Sequence, residues 1–187
     1  MRKADWSKVL RKAGAAGRKA ILQNYTDISR HKILGKGMGG DMTLRIDKVS
    51  ETAIYRSLKA DLGKSFIFLS EEIGEVSGPM QDNELPVVVC DPLDGSHNAA
   101  VGIPFFSVAL SVIDPRNSTG GFKRSFGRVS NALITSIKTD DEYFAIKGYG
   151  SFHNGKRMKP TTASSDWVNT LLIETSDVEY LREKILG

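Results

Sequence analysis

The chain has a single cysteine, Cys90, so it can neither close an intramolecular disulfide nor build a zinc cage from thiolates. Stability must therefore come from burial, and a chain of 187 residues can bury about 70% of its unfolded surface. No apolar run approaches the roughly 20 residues needed to cross a bilayer. The N-terminus is charged from Arg2 onward and has no apolar block followed by a small-residue cleavage pattern, so no secretory leader is legible. Internal repeats, low-complexity tracts, arginine-rich arms and RNA-binding aromatic motifs are also lacking. These absences lead to the expectation of a soluble, cytoplasmic, globular protein that engages neither membrane nor nucleic acid.

What is present is unevenly charged. The net charge is +4, yet residues 1–36 hold 10 basic and 2 acidic side chains, whereas residues 37–100 hold 5 basic and 11 acidic ones. The basic segment alternates with apolar residues and reads as the solvated face of a helix rather than a nucleic-acid arm. The acidic segment bunches its carboxylates around tight turns, and concentrated carboxylates attract hard cations.

Trp6, Val9, Leu10, Ala13, Ala20 and Ile21 follow helical spacing, which predicts an amphipathic helix reaching the region of Tyr25 to Ile28. Gly14 and Gly17 interrupt it where close packing would want small residues. A glycine-rich loop over His31 to Gly40 follows, then a short strand from Thr43 to Asp47 and a second helix from about Lys48 to Leu62. Beyond it the period changes to two. Strands are predicted at 65–69, 85–90, 105–113, 127–137 and 142–147, with another over Ser151 to Met158 turning at Asn154-Gly155. The short connections favour antiparallel pairing, so the fold class is α+β, two N-terminal helices on a largely antiparallel sheet. Leu171 to Ile173 reads as a buried strand and Val178 to Leu186 as a helix, the opening of a second α/β lobe. The expected division is residues 1–148 and residues 149–187.

The most informative stretch is Asp91-Pro92-Leu93-Asp94-Gly95-Ser96, directly after the apolar run that ends at Cys90. Two aspartates in one turn can face the same space, joined by the Leu93 carbonyl, an oxygen-only set of the kind Mg²⁺ selects. Gly95 and Ser96 would then open a helical turn whose free N–H groups suit an anion. The same residues also suffice for a plain turn and helix cap. Ser70-Glu71-Glu72 likewise follows an apolar strand, and two adjacent strands ending at one edge would unite Glu71, Asp91 and Asp94, with Glu72 nearby. Asp47 stands at a helix start, where a cap competes with a catalytic base.

Taken together, Ser70-Glu71-Glu72, Asp91-Pro92-Leu93-Asp94-Gly95-Ser96-His97-Asn98 and Gly102-Ile103-Pro104-Phe105-Phe106 resemble the inositol monophosphatase and fructose-1,6-bisphosphatase superfamily. Asp41-Met42-Thr43 leading to Asp47 and Glu51 fits the same pattern, and Gly148 to Gly155 resembles that family's link between its two lobes. The wording is closest to the archaeal enzymes that hydrolyse both substrate types. The resemblance implies a layered αβαβα sugar-phosphatase fold, here with the N-terminal lobe complete and the C-terminal α/β lobe incomplete. It also implies a homodimer.

The implied activity is that of a Mg²⁺-dependent phosphomonoesterase acting on a small phosphorylated sugar or polyol, with two or three ions, Mn²⁺ as a substitute and Li⁺ as an inhibitor. By that resemblance Glu71, Asp91 and the Leu93 carbonyl hold one ion, and Asp91 and Asp94 hold a second. Gly95 and Ser96 form the phosphate turn, with Asp94 beside it, and Asp47 with the Ser96 hydroxyl accepts the proton of the attacking water. His97 reads as a loop histidine and Asp41 as the carboxylate of the mobile loop. The family also supplies an aspartate from a Trp-Asp pair further along; Asp166-Trp167 has the reverse order and does not match. That departure keeps open a second expectation, a catalytically weak or inactive metal-binding or association protein of the same fold.

Overall fold

A computed structural model describes residues 5–26, 33–36, 42–76, 85–115 and 126–160. The elements expected at 171–173 and 178–186, the Asp166-Trp167 pair, and most of the glycine loop with Asp41 lie outside the described residues. Helix α1 spans Trp6–Asn24, and the Asp5 carboxylate accepts from the Lys8 N–H to cap its start. Its buried stripe of Trp6, Val9, Leu10, Ala13 and Ile21 follows the periodicity, while Ala20, expected with them, is only half-buried. Trp6 also donates its indole N–H to the buried Asp114 carboxylate at 2.7 Å, tying the helix to the residue that follows the strand at Ser107–Ile113.

The two glycines of α1 are where the helix touches its neighbours. A Cβ on Gly14 would lie 2.7 Å from Leu133 Cδ2, and one on Gly17 would lie 2.8 Å from Ile54. Removing both side chains lets the helix approach the sheet on one side and helix α2 on the other.

The Ile33–Lys36 segment, expected within the loop, forms strand β1 and pairs antiparallel with β2 at Met42–Leu44. Helix α2 follows at once, over Arg45–Leu62. It begins three residues earlier than predicted because Asp47 turns its carboxylate back onto the Leu44 N–H, satisfying a donor of the first turn. Gly63, at φ +64°, ends it.

The remaining strands are β3 (Ile67–Ser70), β4 (Gly74–Val76), β5 (Val87–Asp94), β6 (Ser107–Ile113), β7 (Val129–Ser136), β8 (Glu142–Ile146), β9 (Gly150–His153) and β10 (Lys156–Arg157). They form one sheet in the order β10-β9-β8-β7-β6-β5-β3-β4. Every pair is antiparallel except β3 with β5, which run parallel. The expected boundary at 148/149 falls in the turn between β8 and β9, and β9 continues the same sheet. The β9–β10 turn is the predicted Asn154-Gly155 pair, with φ of +48° and +77°. A short helix α3 (Ser96–Val101) follows β5.

One sheet face packs Phe68, Val88, Leu110 and Leu133 against Leu10 and Ile54 of the two helices. The other face carries a smaller cluster of Ile67, Leu85, Val87 and Ile113. The fold is α+β, with two helices on a mainly antiparallel sheet. Among the described residues no helix is long and apolar enough to cross a membrane.

Candidate active site

The parallel pairing of β3 and β5 builds the site. Ser70 lies opposite Cys90, and the Glu71 N–H donates to the Cys90 carbonyl at 3.2 Å, so Glu71, just past the end of β3, stands beside Asp91 of β5. Asp94 joins them through an irregularity. Residues three apart on a regular strand point to opposite faces. Here Asp91 pairs with Ala109 and Asp94 with Ser107, so three steps on β5 match two on β6. The extra residue is a β-bulge, and it returns Asp94 to the side of Asp91. The Asp91 carboxylate accepts from the Leu93 N–H at 3.0 Å, and Asp94 accepts from the Ser107 hydroxyl at 3.3 Å. Leu93 itself buries its side chain in the core.

Asp47 faces this edge from the first turn of α2. It is 2% exposed; one oxygen accepts from Leu44, and the other, Oδ1, is buried without a hydrogen-bond partner. Cap and orphaned acceptor thus coexist on one carboxylate. Burial pushes the Asp47 carboxyl up to about 7, against the lowering effect of the Leu44 N–H, and the charges of Glu72, Asp91 and Glu71 push the same way. Asp91 also rises to about 7, through burial first and then through Glu71 and Asp94. These carboxylates therefore repel one another across one edge. Among the described residues, no three His, Cys, Asp or Glu side chains are grouped closely enough to hold a metal ion by themselves. Glu71, Asp91 and Asp94 present oxygen donors only, the type that hard cations select.

Gly95 and Ser96 follow directly. Gly95 adopts φ +81°, and a Cβ there would sit 2.7 Å from the Phe105 carbonyl oxygen, so this turn accepts glycine alone. The Phe105 carbonyl is held in turn by Asn98 Nδ2 at 2.9 Å, and Tyr25 braces α3 by donating to the Ala99 carbonyl at 2.8 Å. Ser96 opens α3, and His97 is exposed on it.

Three residues around the site were not singled out for a role in the sequence. Ser50 donates to the Pro92 carbonyl at 2.7 Å, and Ser70 donates to Glu51 at 2.6 Å. Ser50, Glu51 and Ser70 are all buried. The signal for them was present: Ser50 and Glu51 interrupt the apolar face of α2 that Ile46, Ile54 and Leu58 define.

The inositol monophosphatase family model matches residues 3–185. The chain is 32% identical over 135 residues to a fructose-1,6-bisphosphatase/inositol-1-monophosphatase of Methanothermobacter thermautotrophicus, covering 72% of this chain and 47% of that protein. It is 36% identical over 129 residues to a fructose-1,6-bisphosphatase of Pyrococcus furiosus, covering 68% and 43%. Among solved structures, an inositol monophosphatase-fructose 1,6 bisphosphatase superposes with a TM-score of 0.71 at 27% identity, covering 97% of this chain and 66% of that one. The chain spans about half the length of these curated relatives. The match along nearly all of its residues, with the carboxylates gathered at one sheet edge, places the chain in the inositol monophosphatase family.

Proposed function

We propose that this chain carries the cation- and phosphate-binding part of a Mg²⁺-dependent phosphomonoesterase acting on small polyol or sugar phosphates, inositol monophosphate and fructose 1,6-bisphosphate among them. The observation that carries this reading is the parallel β3–β5 pairing with its bulge, which sets Glu71, Asp91 and Asp94 at one edge facing Asp47. The donor set fits the ion. It is made of oxygens only, its charges oppose one another, and a buried oxygen of Asp47 has no partner. Glu71, Asp91 and the Leu93 carbonyl would hold one ion, and Asp91 and Asp94 a second.

When bound, Mg²⁺ supplies the positive charge that makes water acidic and neutralises phosphate oxygens. The protein does the rest by position. Gly95 and the Ser96 N–H groups orient the phosphate, and the tight Gly95–Phe105 approach keeps that turn from shifting. Asp47 Oδ1 would hold the proton that the attacking water gives up, with the Ser96 hydroxyl passing its own proton on as it receives that one. Phosphoryl transfer asks mainly for alignment and charge compensation, so no covalent intermediate on the protein is required.

Assays of the full-length protein with inositol 1-phosphate and fructose 1,6-bisphosphate, with and without Mg²⁺, test this. Mg²⁺-dependent release of phosphate is expected. Binding of Mg²⁺ without turnover of either compound would instead support a metal-binding protein of the same fold, and no binding at all would overturn both.

A further inference from the structure

Helix α2 presents three buried polar side chains on one face: Asp47, Ser50 and Glu51, at 2%, 0% and 1% exposure. Their i, i+3, i+4 spacing makes them neighbours. Asp47 faces the carboxylate edge, while the other two reach the turns that carry it. Ser50 holds the Pro92 carbonyl, between Asp91 and Asp94. Glu51 Oε1 accepts from the Ser70 hydroxyl at 2.6 Å and from the Ile73 N–H at 3.1 Å. Those two donors bracket Glu71 and Glu72 on either side. Glu51 Oε2 accepts from Lys48 Nζ at 2.7 Å, and the Lys48 side chain is 46% exposed.

Both Glu51 oxygens are therefore engaged by the protein, which separates it from the ligand carboxylates. A buried carboxylate is costly unless it is paired and hydrogen-bonded, and an apolar side chain would fill the same space more favourably. Charge-assisted hydrogen bonds are also shorter and more directional than neutral ones. What the carboxylate adds over an apolar filler is a fixed position for the turn it grips.

We propose that Glu51 is a positioning residue: it clamps the Ser70–Ile73 turn to the same helix that bears Asp47, and so sets where Glu71 stands for a divalent cation. This rests on the reading of Glu71 as a cation ligand. Loss of the clamp should weaken cation binding more than it slows turnover at saturating cation. Outer partners of metal ligands typically change affinity about 10- to 100-fold when removed.

The test uses the full chain as wild type, Glu51→Gln, Glu51→Ala and Ser70→Ala, with Mg²⁺ titrated calorimetrically and amide hydrogen exchange read at residues 71–73 without added metal. Glu51→Gln retains an acceptor for Ser70 and Ile73, so near wild-type Mg²⁺ affinity and slow exchange are expected. Glu51→Ala should lose about 10- to 100-fold in affinity and exchange faster at 71–73, with kcat at saturating Mg²⁺ largely kept. Ser70→Ala should fall between them, and it serves if Glu51→Ala fails to fold. Unchanged affinity and exchange in Glu51→Ala, or in Ser70→Ala where that variant must serve, would overturn the proposal. A wild-type chain that binds no Mg²⁺ would overturn the cation reading instead. The exchange data then judge the clamp alone, supporting it if residues 71–73 open faster and refuting it if they do not.

Discussion

Two groups of aspartates in this molecule respond to folding in opposite directions. At the β8–β9 end of the sheet, Asp141 is surrounded by donors: His153 Nε2 and Asn154 Nδ2 each lie 2.9 Å from its Oδ1. The Thr139 hydroxyl, then His153, then Asn154 hold its carboxyl down to about 2. At the β3–β5 end, Asp47 and Asp91 are pushed up to about 7 by burial and by the carboxylates beside them. The same side chain is a satisfied surface latch in one place and a crowded, desolvated acid in the other. Folding alone would not favour the second arrangement, which supports the site proposed at that end.

The widest separation between the two ends should come from removing one charge at the crowded end. Asp91→Asn is expected to lower Mg²⁺-dependent phosphatase activity by at least about a thousandfold, the scale of several kcal/mol of charge compensation. The same variant should melt higher than wild type in metal-free buffer at pH 8, because it removes a repelled, buried charge. A loss of both activity and stability would show that the strain at this edge is misread. Gly95→Ala comes next. Its Cβ meets the Phe105 carbonyl oxygen, and a displaced phosphate turn should cost about a hundredfold in kcat/KM.

A change to the framework, away from both ends, should touch stability instead. Gly14→Ala crowds Leu133 and should destabilise by about 1–3 kcal/mol, seen as a lower urea midpoint with activity per folded molecule retained. The pH response distinguishes the two ends directly. Asp47 and Asp91 have folded values raised from 3.8 to about 7, so ionising them opposes folding, and metal-free stability should fall as pH rises from about 4 to 7. Asp141 has a depressed folded value, so its contribution is present above about 4 and lost as pH falls towards 2. Melting curves across pH 2–9, with Asp91→Asn flattening the upper limb, check both signs. The smallest effect is expected from Asp141→Asn, which should flatten only the acid limb and leave phosphatase activity unchanged.

Much of this was legible in the residues because it depends on local rules. The stripe of Trp6, Leu10, Ala13 and Ile21 sets the buried face of α1, and Asn154-Gly155 takes the positive φ values that a tight hairpin demands. The β4 strand at Gly74–Val76 escaped notice because three residues are too short for an alternation to show. The early start of α2 escaped because Asp47 acts there as an N-terminal capping group, which shifts the boundary without changing the pattern that follows.

The grouping of the acids divides along the same line. The turn chemistry of Asp91 to Ser96 and the Glu-Glu pair after an apolar strand are written in the sequence, and they were enough to identify the family. Three matters required the tertiary structure: that β3 and β5 are parallel neighbours, that a bulge brings Asp94 into phase with Asp91, and that Ser50 and Glu51 hold the two turns. Each is a contact between residues far apart along the chain, and its energy depends on burial and register. Local sequence determines which residue types are available; only packing decides which charges are desolvated and which oxygens meet.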